Sequence, residues 1–154
     1  MKDINIRFKR VNESAQQPVR AHSTDSGYDI FAATGPSVVL DKNQNISYIK
    51  YDTGISIEPP DNVYFLLYPR SSIRKYSLSL SNSVGVIDTS YRGNIIVCFT
   101  PTIHTKEIED LAVYEQGDRI AQLIPQIRLD VNFQESSYVN ETERGSGGFG
   151  SSGS

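Results

Sequence analysis

Hydrophobic and polar residues alternate with a period of two along much of this chain. Ile4, Ile6 and Phe8 alternate with polar neighbours, and so do Ile127, Leu129, Val131 and Phe133, the pattern of strands that turn one face to a core. Between them lie short β-branched or aromatic runs at 37–40, 46–50, 54–57, 63–68, 94–100 and 119–124. Turn residues punctuate these runs, including Thr34-Gly35-Pro36, Pro59-Pro60-Asp61-Asn62 and Gln116-Gly117-Asp118. Many short strands with such punctuation predict an all-β sandwich or barrel rather than a βα repeat. The one helical candidate is short, 71–76, and the Leu78 and Leu80 that follow it alternate like a strand. No internal repeat and no linker divides the chain.

At 154 residues the chain has the size of a single domain, long enough to bury a core without staples. Fifteen Lys and Arg against 18 Asp and Glu give a net charge of −3. That argues against attachment to nucleic acid by bulk electrostatics, but leaves room for a small anion held by a few arginines. One cysteine, Cys98, rules out an internal disulfide and a multi-thiolate metal site within one chain. Set among Ile95, Ile96, Val97 and Phe99 it reads as a small buried apolar residue. A lone cysteine, a charged start at Met1-Lys2-Asp3 and no apolar run near the ~18 residues of a membrane span lead us to expect an intracellular protein, cytoplasmic or nuclear.

Five segments are unlike strand filling. In Ser26-Gly27-Tyr28-Asp29 an aspartate stands where a strand begins, which turn capping also explains. Pro69-Arg70-Ser71-Ser72 combines a guanidinium with two hydroxyls ahead of the helical candidate, a cradle for an oxyanion or ordinary capping. The stretch 82–94 reads as a β-hairpin, with Asp88 ending the triplet Val86-Ile87-Asp88, Tyr91 three residues on, and Gly85 and Gly93 on either side. Glycine there lets bare backbone groups meet a planar base. In 117–124, Arg119 and Gln122 interrupt an apolar strand, and each needs a polar partner if buried. Finally, the last ten residues hold five Gly, four Ser and one Phe. By composition this is a flexible tail, yet Phe149 and the preceding Arg144 suit an arm that closes over a phosphate ligand.

Taken together, these segments resemble, in order and spacing, the five motifs of the homotrimeric dUTP pyrophosphatases (dUTPases). They are Ser26-Gly27-Tyr28-Asp29, Pro69-Arg70-Ser71-Ser72, Gly85-Val86-Ile87-Asp88 with Tyr91-Arg92-Gly93, Gly117-Asp118-Arg119-Ile120-Ala121-Gln122-Leu123, and Arg144 through Ser151. The resemblance spans residues 21–153.

It implies an all-β, jelly-roll-like distorted barrel with one short helix over 1–135 and a Gly-rich C-terminal arm over 136–154. It further implies a homotrimer with sites at subunit junctions, no direct nucleic-acid binding and no membrane contact. The implied reaction converts dUTP and water to dUMP and pyrophosphate, which limits uracil in DNA and supplies dUMP for dTMP synthesis. By the same resemblance Asp88 is the general base. Arg70, Ser71, Ser72 and Gln122 contact phosphates, and Asn82, Gly85, Val86 and Ile87 read uracil. Tyr91 packs under the sugar, while Arg144, Phe149, Gly150 and Ser151 close from the arm. Mg²⁺ is the implied cofactor, held mainly by phosphate oxygens and waters, with Asp29 acting on it through water.

Departures from the family pattern, Ser90 and Ser146, fall outside the core positions. The charged stretch 102–114 reads as an exposed loop. Three rivals stand beside this reading. A dCTP deaminase on the same fold would need a catalytic Glu, which 82–94 lacks. A non-catalytic nucleotide sensor would have lost Asp88, Arg70 or the tail. A generic β-sandwich adhesion module would leave the tail and Asp88 unexplained.

Overall fold

A computed structural model describes residues 3–148. Its strands are β1 (Arg7–Arg10), β2 (Tyr28–Phe31), β3 (Ser37–Leu40), β4 (Ile46–Asp52), β5 (Ile55–Glu58), β6 (Val63–Pro69), β7 (Leu78–Leu80), β8 (Gly85–Ile87), β9 (Ile96–Pro101) and β10 (Arg119–Ile127). Two four-stranded sheets, ordered β2-β10-β6-β8 and β3-β4-β9-β7, and a two-stranded ribbon β1-β5 form the jelly-roll-like fold. The strand pairs within them are antiparallel.

The alternation of the sequence becomes the alternation of burial. In β6, Val63, Phe65 and Leu67 point inward, and in β4 Ile46, Ile49 and Tyr51 do. At the centre Tyr51 meets Phe99 edge-on with ring centroids 5.9 Å apart and donates its hydroxyl to the Tyr114 carbonyl at 3.0 Å. A fully buried ring of this size contributes about 1.5–3 kcal/mol by leaving water, and the hydrogen bond removes the cost of a buried phenol. Burial pushes the Tyr51 hydroxyl well above its usual range. At the turn into β10, Gly117 takes φ +91°, a conformation that side chains disfavour.

Several expectations change. Residues 82–94 are not a hairpin. β8 pairs with β6 in one sheet, whereas β9 pairs with β4 and β7 in the other, so the chain crosses between layers after Ile87. The helical candidate is a 3₁₀ helix, Ser71–Lys75, with no side-chain cap and no acidic first turn. Five residues are too few to nucleate an α-helix unaided. The loop 102–114 contains a second such turn, Ile108–Asp110. The alternation beyond Ile127 does not become a strand. Leu129, Val131 and Phe133 are 78%, 64% and 97% exposed, because no strand edge among the described residues pairs with them. At the other end, β1 starts at Arg7, leaving Ile4 outside it and exposed. No helix of the described residues is long and apolar enough to cross a membrane.

Candidate active site

The first group of site residues gathers where β2, β6 and β10 meet. Asp29 faces Gln122 across the β2–β10 ladder. In a regular strand Arg119 and Gln122, three residues apart, would point to opposite faces. A bulge between Arg119 and Ala121 breaks that phase. Its mark is that consecutive Ile120 and Ala121 are both buried. Arg119 is thereby brought onto the same carboxylate as Arg70. Asp29 accepts from Arg70 Nε at 2.7 Å and from Arg119 Nη1 at 3.2 Å. With only 9% of the residue exposed, the buried carboxylate needs both partners. Two guanidinium groups against one carboxylate leave a surplus positive charge at the end of the sheet.

Arg70 is the residue at which β6 turns into the 3₁₀ helix. Its carbonyl accepts from Ile73 N–H at 3.0 Å, and its Nη1 donates to Ser72 Oγ at 3.3 Å. Gln122 donates to the Pro69 carbonyl at 3.1 Å, which ties it to the same corner. Gly27 leaves room for that amide, because a Cβ at its position would overlap the Gln122 amide oxygen and push the side chain aside. Asp29, Arg70, Ser72 and Gln122 are thus brought together. Ser71 stands exposed at the start of the helix beside them. Arg119 was flagged in the sequence only as needing a partner, and the structure supplies that partner.

The second group surrounds a cleft of about 340 Å³ beside β8, lined among others by Asn82, Gly85, Ile87, Asp88 and Tyr91. Backbone approaches closely here, since a Cβ on Gly85 would stand 3.2 Å from Leu67 Cβ and 3.3 Å from Asn82 Nδ2. Val86 also lines the cleft and is itself largely exposed. Asp88 opens the turn after β8, and its carbonyl accepts from Tyr91 N–H at 3.0 Å. The Tyr91 ring lies over Gly93, with its hydroxyl on the Asn94 carbonyl at 2.9 Å. Thr89 pins the turn to β6 through the Val63 carbonyl at 2.9 Å, a contact with no sequence signal. The Asp88 side chain is exposed and accepts no hydrogen bond from the described residues.

These two groups do not meet within one chain. Phe65 pairs with Ile87, so Asp88 lies opposite Tyr64 while Arg70 follows the far end of the same strand. Six residues of strand at roughly 3.3 Å each separate them by about 20 Å. The described part of the arm, 136–148, bonds to neither group. Arg144 donates to the Gly147 carbonyl at 2.9 Å, a contact local to the arm. Phe149, Gly150 and Ser151 lie outside the described residues. Among those that are described, no cluster of three His, Cys, Asp or Glu could hold a metal ion.

A family model described as dUTPase matches residues 13–153. The chain belongs to the dUTPase family. A deoxyuridine 5'-triphosphate nucleotidohydrolase of Corynebacterium diphtheriae is 38% identical over 149 residues, covering 96% of this chain and 92% of the relative. One from Clostridium tetani is 34% identical over 154 residues and covers 99% of each. Among solved structures, the dUTPase of Staphylococcus bacteriophage 80alpha with dUPNHPP superposes at a TM-score of 0.75. It has 25% identity and covers 97% of this chain and 99% of that one. A mutant dUTPase from phage phi11 of S. aureus, 21% identical, shares the fold at a TM-score of 0.70, and that protein coordinates a structural Mg(II) ion. The chain is therefore an enzyme, a dUTP diphosphatase. Its dUTPase motifs gather in two places, a cationic corner around Asp29, Arg70 and Arg119 and a narrow cleft with the unengaged carboxylate of Asp88 at its mouth.

Proposed function

We propose that this dUTPase cleaves dUTP between the α- and β-phosphates by attack of one water, with each site assembled from more than one subunit of a homotrimer. The observation that carries this reading is the placement of Asp88 beside the cleft and about 20 Å along β6 from Arg70. One copy offers the base-binding end and the basic carboxylate. Another offers the guanidinium corner.

In this reading the cleft accepts uracil. Backbone groups of Gly85, Val86 and Ile87, with the Asn82 side chain, complement its N3–H donor and O4 acceptor. Cytosine reverses that pair and would leave buried groups unmatched. Tyr91 packs under the deoxyribose and leaves no space for a 2′-hydroxyl. Arg70, Ser71, Ser72 and Gln122 hold phosphate oxygens, and Asp29, through its bonds to Arg70 and Arg119, keeps the guanidinium groups in place. Asp88 accepts the proton of the water as its oxygen bonds to the α-phosphorus. The bond from that phosphorus to the bridging oxygen breaks, and pyrophosphate departs with the electron pair. Before that attack, Arg144, Phe149, Gly150 and Ser151 of the arm cover the ligand and exclude other water.

The chain has no carboxylate cage of its own among the described residues, which fits Mg²⁺ arriving on the triphosphate. When bound, that ion spreads the charge of the phosphate oxygens. Asp29 has lone pairs left beyond its two arginine contacts to receive a water of that ion. The direct test is pyrophosphate release from dUTP, dCTP, dTTP and UTP by the wild type and Asp88→Asn, with the native mass measured alongside. Turnover of dUTP alone, at least a 10²-fold loss in the variant, about the range of a lost general base, and a trimer mass are expected. Full activity of Asp88→Asn or of a monomer would refute the reading.

A further inference from the structure

Tyr114 lies under the 3₁₀ helix Ser71–Lys75, outside every motif considered above. Its side chain is fully buried, with the ring 3.8 Å from that of Tyr76 and 5.4 Å from that of Phe99. These contacts account for the ring but not for its hydroxyl. The phenol oxygen is closed off from solvent and has no hydrogen-bond partner among the described residues, a cost that phenylalanine would not carry. Facing it is the hydroxyl of Ser72, the same oxygen that receives Arg70 Nη1 at 3.3 Å. Burial pushes Tyr114 up to about 12, with Ser72 pulling the other way, so the phenol keeps its proton in neutral solution and can donate it.

A serine hydroxyl carries one proton and two acceptor lone pairs. Arg70 fills one lone pair. Once a second donor fills the other, the serine proton has only one direction left, outward toward the cationic corner. We propose that Tyr114 is a positioning residue that acts through Ser72. By donating to Ser72 Oγ in the nucleotide complex, it fixes the Ser72 proton on a phosphate oxygen, and its own unmet bond in the free protein is satisfied at the same moment. The inference rests on the phosphate role given to Ser72 above.

The test is steady-state hydrolysis of dUTP by wild type, Tyr114→Phe, Ser72→Ala and the double variant, each as the full chain, with thermal midpoints measured alongside. Tyr114→Phe should raise KM about fivefold, the size of one modest hydrogen bond, with kcat within about twofold and an unchanged or higher midpoint. With Ser72 already replaced, it should add nothing. Binding of the α,β-imido analogue of dUTP should weaken by the same factor in the phenylalanine variant. A KM equal to that of wild type overturns the proposal, as does an equal increase with Ser72 absent, since packing alone would act regardless of Ser72. If Ser72→Ala itself matches wild type, the phosphate role of Ser72 fails and the inference falls with it.

Discussion

Replacing Asp29 by asparagine keeps the shape of the carboxylate and removes its charge. In the native protein the two oxygens accept from Arg70 Nε at 2.7 Å and Arg119 Nη1 at 3.2 Å. Asparagine retains one acceptor and turns an NH₂ group against the second guanidinium. One charge-assisted hydrogen bond, about 2 kcal/mol, is lost, and the other weakens by about 1 kcal/mol as its acceptor becomes neutral. The Arg119 side chain is 43% exposed, so water recovers part of the loss and about 2 kcal/mol remains. For a chain of this length that lowers the thermal midpoint by about 6 °C. The assay is a thermal scan of both proteins at one protomer concentration, because assembly also shifts the midpoint. Arg119→Met provides the control. Its cost and that of Asp29→Asn share a bond, so the double variant should lose less than the sum. A midpoint within 1 °C of wild type (well inside about 6 °C), or strict additivity, would refute the view that Asp29 is what holds the two arginines.

Two further outcomes follow from the aromatic centre and the arm. Tyr114 has its hydroxyl raised from 10.0 to about 12 by burial, and Tyr51 is raised as well. The stabilisation is complete below pH 10 and is lost as pH rises through the folded value, because unfolding then releases protons. Denaturant midpoints should fall through pH 10–12, and Tyr114→Phe should flatten that fall by about one proton; a variant with the full slope would contradict the burial argument. Deleting 144–154 should remove most dUTP turnover while circular dichroism and the thermal midpoint stay as in the intact chain, since the described part of that arm bonds only to itself. Undiminished turnover after the deletion would discard its closing role.

What the sequence disclosed was local. Strand β3 falls on the expected 37–40, and the runs at 46–50, 63–68 and 119–124 lie inside longer observed strands, because period-two burial is written in consecutive residues. Pairing partners are not. Two short strands with turn residues between them look like a hairpin, and nothing within 82–94 records that β8 is claimed by β6 and β9 by β4. The candidate site could be listed from the sequence by residue type, as Asp29, Arg70, Asp88 and Gln122, but not by arrangement. That Arg119 shares the carboxylate of Asp29 depends on a bulge with no local signal. Tyr114 closes the stretch 102–114 that reads as an exposed loop, yet it and Leu111 are buried in the core, because the pattern of charges in a loop does not record which of its rings turns inward. The stripe Leu129, Val131 and Phe133 shows the converse, a strand pattern legible in the letters whose neighbour is not among the described residues.

Strand β6 works as a spacer, with Asp88 beside one tip and the guanidinium corner at the other. With sites shared between subunits as proposed, lesions at the two tips belong to different complementation classes. A chain crippled at Asp88 still lends its arginine corner to a neighbour, and a chain crippled at Arg70 still lends its carboxylate. Co-assembled, two inactive gene products would regenerate intact sites at some junctions, whereas two lesions at the same tip never could. Damage to this enzyme would then be inherited according to which end of one seven-residue strand it strikes.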